Sequence, residues 1–151
     1  MDIANLLFAF EGRISRKQFW LGVVIIAAIE LVLLWATGVS FSEASLDQHS
    51  RIVKGVIGLL TIYPTAAIAV KRLHDRNQPG VYVWLLVAIS FIAAAMDFFG
   101  VTEQPQNAGI LVWVFSAAVL VIALAFLIEL GFRRGTPGDN RFGPDPVAAK
   151  T

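Results

Sequence analysis

Four long apolar runs alternate with short polar segments along the chain: Phe19–Thr37, Ile52–Val70, Val81–Phe99 and Ile110–Phe132. Each is bounded by charge or by a turn. Arg16 and Lys17 precede the first and Gly38 follows it; Lys71-Arg72 close the second. Pro79-Gly80 opens the third, Gly100 closes it, and Arg133-Arg134 end the fourth. A helix of roughly 20 apolar residues crosses about 30 Å of hydrocarbon, whereas a helix of a soluble bundle keeps a polar face at 3.6-residue spacing. Between Val81 and Phe99 only Ser90 and Asp97 interrupt an apolar or aromatic surface. The pattern predicts an all-α polytopic membrane protein, a four-transmembrane-helix bundle forming one domain over residues 1–146, with 147–151 as a disordered tail. Ile3–Phe10 is too short to span and reads as an interfacial amphipathic lead-in or a disordered start. Asp2, in place of a basic cluster, and the lack of a small-x-small site after the first run argue for a retained helix over a cleaved signal.

Composition sharpens this. Hydrophobic residues make up 57% of the 151 positions, charged residues 15%, and mean hydropathy is +0.71, against about 45–50% apolar and about 25% charged in an ordinary soluble domain. With no cysteine, disulfides and thiolate chemistry are excluded. The net charge of +1 hides an asymmetry that sets orientation. Ten of the 12 basic residues (Arg13, Arg16, Lys17, Lys71, Arg72, Arg76, Arg133, Arg134, Arg141, Lys150) fall on one side of four alternating helices, and only Arg51 and Lys54 on the other. Basic residues in short loops resist translocation, so both termini are expected in the cytoplasm. The opposite loops, Gly38–Ser50 and Gly100–Gly109, are acidic or neutral. Trp20, Trp35, Trp84 and Trp113 sit near span ends, as interfacial aromatic residues do. Basic residues tied to the membrane plane are not expected to bind nucleic acid.

Orientation gathers three polar segments on one face: Phe10-Glu11-Gly12-Arg13-Ile14-Ser15-Arg16-Lys17-Gln18-Phe19-Trp20, Lys71-Arg72-Leu73-His74-Asp75-Arg76, and Pro137-Gly138-Asp139-Asn140-Arg141-Phe142-Gly143-Pro144-Asp145-Pro146. In this order, over nearly the whole chain, they resemble the DUF805 family of small bacterial inner-membrane proteins. Three departures stand out: Lys71 where the family usually has arginine, Phe142 in place of tyrosine, and Gln78–Tyr82 in place of a serine-glycine-tryptophan-tryptophan turn. The resemblance implies an integral inner-membrane protein and supplies no reaction, substrate or cofactor.

Two candidate sites follow from the residues. On the basic face, Arg13, Arg16, Arg72 and Arg141 are expected to converge on an anionic lipid headgroup or a partner protein, with Asp75 and Asp139 orienting their guanidinium forks and His74 and Asn140 beside them. Plain topology also explains the cations, since each basic residue near an anionic surface contributes about 1 kcal/mol of non-specific attraction. Inside the membrane, Glu30 lies 11 residues beyond Phe19, about 16 Å deep at the helical rise, where a carboxylate is costly and marks a functional hypothesis. Thr61 and Tyr63 fall at similar depth in the second span and are its expected partners. The leading expectation is a non-enzymatic module whose basic cytoplasmic face binds anionic lipid or a partner, without metal or cofactor. An alternative is a small oligomeric transporter or channel using Glu30. A third is a membrane enzyme acting on a phosphorylated lipid at His74-Asp75, although a His-Asp metal centre needs more histidines than His74 and His49.

Overall fold

The computed structural model describes residues 2–39, 48–98 and 109–148. Glu43, Asp47, Glu103, Lys150, the side chain of Asp97 and most of the expected tail lie outside the described residues. Five α-helices follow in order: α1 (Ile3–Phe8), α2 (Arg16–Ala36), α3 (Gln48–Asp75), α4 (Val81–Phe98) and α5 (Ile110–Leu127), the last continuing into a π-helical turn, Ile128–Phe132. No strand occurs among the described residues. Arg16–Ala36, Gln48–Asp75 and Ile110–Phe132 are long and apolar enough to cross a membrane, and α4 carries a shorter apolar stretch, Val81–Ile92.

Local chemistry explains where these helices differ from the apolar runs. α2 starts three residues before Phe19 because Ser15 caps it: its hydroxyl accepts from the Gln18 N–H while the Gln18 side chain accepts from the Ser15 N–H. This reciprocal capping box satisfies two orphan donors. Ser15→Ala is expected to lower unfolding stability by about 1 kcal/mol, read as a reduced melting temperature in detergent. α3 runs past Val70 to Asp75 and ends where Asn77 turns left-handed at φ 56°. The Gln78 N–H then reaches Leu73 O and the Asn77 N–H reaches His74 O, both at 2.9 Å. That is a Schellman termination with asparagine as its left-handed residue.

Side-chain-free positions set the register between helices. A Cβ on Gly22 would lie 3.0 Å from Ile68 Cγ2, and one on Gly80 would lie 2.7 Å from Val70 Cγ1. α2 therefore packs tightly on α3 at the level of residues 22 and 68, and α4 on α3 at 80 and 70. The core gathers at this end of the bundle, from Leu6, Leu7, Phe19, Ile68, Leu73 and Leu130 among others. α1, expected as a lead-in, lays Leu6 and Leu7 into it. α5 has no buried residue and meets the other helices through its π-helical turn, which packs on α2 and α3.

Candidate functional site

The last turn of α3 places Asp75 at the centre of a buried charge cluster. Its Oδ1 accepts from Arg13 Nε at 3.2 Å and NH2 at 3.1 Å, and its Oδ2 accepts from Arg72 NH1. Arg13 also donates through NH1 to Gly138 O (2.7 Å) and Gly143 O (3.2 Å), and through NH2 to Thr136 O (2.7 Å). With Thr136 Oγ1 also 3.5 Å from NH2, all five N–H groups of the guanidinium have acceptors within reach. Arg72, 0% exposed, turns Nε to Leu130 O (2.7 Å) and NH2 to Arg133 O.

The π-helical turn makes these carbonyls available. A helix leaves its last four C=O groups without intrahelical partners, and this one distributes them to side chains of α2 and α3. Leu130 O and Arg133 O take Arg72, Gly131 O takes Trp20 Nε1 at 3.2 Å, and Phe132 O takes Arg16 NH1 at 3.3 Å. The negative end of the helix dipole favours these cations. Lys71, also 0% exposed, does the same for α1, its Nζ donating to Asn5 O (2.6 Å) and Leu6 O (2.7 Å).

The chain beyond α5 is laced over the end of α3. The Thr136 N–H and hydroxyl donate to Asp75 O at 2.8 and 3.0 Å, and Asn140 Nδ2 donates to His74 O at 2.9 Å. Asn140 and Gly143 exchange backbone hydrogen bonds, closing a tight turn that lays Phe142 flat on the His74 ring, centroids 3.9 Å apart. His74 Nδ1 is 3.2 Å from Gly12 O, and the Arg141 guanidinium stands 4.7 Å from the Phe142 ring centre while donating to Asn77 O. Gly135 is held to its size by Asp75, since a Cβ there would overlap the carboxylate. Glu129 pairs with Arg133 at 2.6 Å and with Arg76 at 2.9 Å.

The carboxylates of the C-terminal loop have internal work. Asp139 Oδ1 accepts from the Asp145 N–H at 3.1 Å. Asp145 accepts from the Val147 and Gly138 N–H groups, both at 2.9 Å, and these bonds, Val147 first, hold its pKa below the usual carboxylate range. No group of three or more potential metal ligands occurs among the described residues.

The structure thus brings Arg13, Arg72, His74, Asp75 and Asn140 together, with Arg141 at the edge. Asp139 turns to its own loop. Facing outward are Arg16, Lys17 and Arg134, which are exposed and line a cavity of about 440 Å³ with Ser15, Thr136 and Asp145. Sequence reasoning did not single out Lys17, Arg134 or Thr136 for a site. Runs of adjacent cations read as topology, and only folding of the C-terminal segment back over α2 and α3 sets them around one opening.

The second candidate group divides. Glu30 and Thr61 line one cavity, while Tyr63 faces away from it, donating to Phe8 O at 3.2 Å and meeting Phe10 edge-on at 5.1 Å.

A family described as a protein of unknown function (DUF805) matches residues 7–144, the stretch that contains the charge cluster and the segment laced over it. The chain belongs to the DUF805 family. It is similar to the uncharacterized protein YiiR of Escherichia coli K12, 31% identical over 151 residues, covering 99% of this chain and 94% of that protein. It also resembles two E. coli K12 proteins named as inner membrane proteins: YhaH, 27% identical, covering 91% of this chain and 86% of the relative, and YhaI, 28% identical, covering 97% and 92%. No solved structure matches the chain. Apolar helices and inner-membrane relatives together make this DUF805 chain an integral membrane protein.

Proposed function

We propose that this DUF805 protein is a non-enzymatic module of the bacterial inner membrane, with four spans and both termini cytoplasmic, whose basic face holds an anionic lipid headgroup. The observation that carries this reading is the division of labour among the cations. Arg13 and Arg72 are engaged by Asp75 and backbone carbonyls and act as positioning residues, with His74, Asn140 and Arg141 fastening the same segment. Lys17 and Arg134 remain outward around an opening of about 440 Å³, joined by Arg16, which gives NH1 to Phe132 O at 3.3 Å and is otherwise exposed there. The start of α2, with its positive dipole end, borders that opening and favours an anion further. The ten-to-two distribution of basic residues supports the orientation, and the names of YhaH and YhaI support the membrane.

Native mass spectrometry of protein released in mild detergent tests this. Wild type is expected to retain phosphatidylglycerol over phosphatidylcholine. An Arg16→Gln/Arg134→Gln double variant is expected to lose about 2 kcal/mol of that attraction, at about 1 kcal/mol per cation, a fall in retention of roughly 30-fold. Equal retention by the double variant would leave these cations a purely topological role. A second reading, a small oligomeric transporter or channel, draws on Glu30, which lines a separate cavity with Thr61 and Ser90.

A further inference from the structure

Among the described residues the bundle is tight at the Asp75 end and opens toward the other. From Ala66 to Leu73 every residue of α3 is buried, yet from Thr65 back to Arg51 one face of the same helix lines a cavity of about 370 Å³. Arg51, Gly55, Gly58, Thr61 and Thr65 follow one another at three- and four-residue steps along that face, with Lys54 three residues from Arg51 and four from Gly58, a stripe of about 21 Å at the helical rise. Glu30 of α2 and Ser90 of α4 face them across the cavity, with Leu59, Ile62 and Phe91 as its apolar lining.

The register fixed by the close contacts puts these groups at one depth. α2 and α3 are antiparallel with residue 22 level with 68, so Glu30, eight residues on, comes level with residue 60. α4 runs antiparallel to α3 with 80 level with 70, so Ser90, ten residues on, also comes level with residue 60. Three helices therefore deliver Glu30, Thr61 and Ser90 to one layer. Lys54 lies about 9 Å from that layer toward the open end, and Thr65 about 7 Å from it toward the sealed end.

Such a cavity cannot be dry. A carboxylate at this depth needs hydrogen-bonding partners or water, and no hydrogen bond joins the Glu30 side chain to the described residues. The Thr61 hydroxyl spends its proton on Ile57 O (3.1 Å) or Gly58 O (3.2 Å), leaving its oxygen to the cavity. A Cβ at Gly55 or Gly58 would meet nothing within 4 Å, so space continues to the helix backbone. Leu59, Ile62 and Phe91 make much of the wall apolar, but the side chains of Glu30, Lys54, Thr61, Thr65 and Ser90 share this volume, and a roomy cavity with that many polar partners holds water.

The charges are ordered along it, Lys54 with Arg51 toward the mouth and Glu30 deeper, between low-dielectric walls that focus their fields. We infer that this cavity is a water-filled vestibule, open at the Arg51 end and closed beyond Thr65, that holds a small anion beside Lys54, with Glu30 setting the limit of the anion's entry. The inference stands apart from the headgroup reading, since it uses a different cavity at the opposite end of the bundle.

Because the chain has no cysteine, single-cysteine variants in sealed vesicles of either orientation test it without further engineering. Gly58→Cys and Ser90→Cys are treated with membrane-impermeant methanethiosulfonates of similar size, one bearing a sulfonate and one a trimethylammonium. Both are expected to react from the Arg51 side only, the anionic reagent at least 5-fold faster, and Lys54→Gln is expected to remove that preference. At Thr65→Cys the anionic reagent is expected to be slow and to speed up with Glu30→Gln. Leu60→Cys, exposed but outside the cavity lining, serves as the lipid-facing control and is expected to stay unmodified. No reaction at either Gly58→Cys or Ser90→Cys would mean a cavity filled by lipid chains and would overturn the inference. So would a preference for the cationic reagent, a preference that survives Lys54→Gln, or labelling from the Asp75 side.

Discussion

Asp75→Ala is expected to destabilise the protein more than any other single substitution at this face, by about 3–5 kcal/mol, because it strands two buried guanidinium groups without their counter-charge. Arg13 and Arg72 would keep their carbonyl partners, Thr136, Gly138 and Gly143 for the one, Leu130 and Arg133 for the other. Carbonyl dipoles disperse charge and do not cancel it. The damage should spread beyond the cluster, since the same carboxylate orients the arginines that hold the π-helical turn and the chain from Thr136 to Gly143. The expected readings are a lower melting temperature in detergent and faster tryptic cleavage after Arg134 and Arg141. A double-mutant cycle separates the pair from its parts: Arg13→Ala/Asp75→Ala should cost less than the sum of the two single changes, because removing one arginine with the carboxylate relieves part of the stranded charge. Additive single effects would show that the Arg13–Asp75 pair contributes nothing beyond its separate packing.

The cluster also shows what could be read from the sequence. The long apolar runs and the basic asymmetry are one-dimensional properties, and the three helices long enough to span, with α4 beside them, follow from them. The three polar motifs announced themselves by composition, since positive charge alone explains neither an aspartate after His74 nor an asparagine framed by glycine and proline. Their use was not legible. An arginine at a span end reads as facing water and headgroups, and only a C-terminal segment folding back over α3 converts Arg72 from surface to interior. That return depends on the π-helical turn and on Gly135, whose missing Cβ admits Asp75, and neither leaves a periodic signal. Trp20 illustrates the same limit: placed near a span end as an interfacial aromatic, it donates to Gly131 O and helps seat α5. Glu30 was legible by cost and Thr61 by depth, whereas the turning away of Tyr63 and the lining by Gly55, Gly58 and Thr65 needed the packing that Gly22 and Gly80 impose.

Lys71→Met is expected to release α1. The helix is only six residues long, far below the roughly 12–15 residues at which an isolated helix becomes marginal in water, so tertiary contacts must hold it. Leu6 and Leu7 supply the apolar part, and Lys71 supplies the polar part by donating to Asn5 O and Leu6 O from a position with no solvent exposure. Methionine matches the length of the stem and offers no donor. The buried Leu6 carbonyl would then lack a partner, at about 1–3 kcal/mol for a group left unsatisfied, while Asn5 O would keep its bond from the Ala9 N–H at 3.3 Å. Lys71→Arg keeps a cation and its donors but must fit a bulkier planar head into a filled site, at about 1–3 kcal/mol of overpacking. The order expected is therefore wild type, then Lys71→Arg, then Lys71→Met, in melting temperature and in hydrogen-exchange protection of the Ile3–Phe8 amides. Since Tyr63 also donates to Phe8 O, loss of α1 should free Tyr63 and quicken its chemical modification. If Lys71→Met left α1 protected, its attachment would rest on Leu6 and Leu7 alone, and the buried ammonium would have no structural work to explain its place in the core.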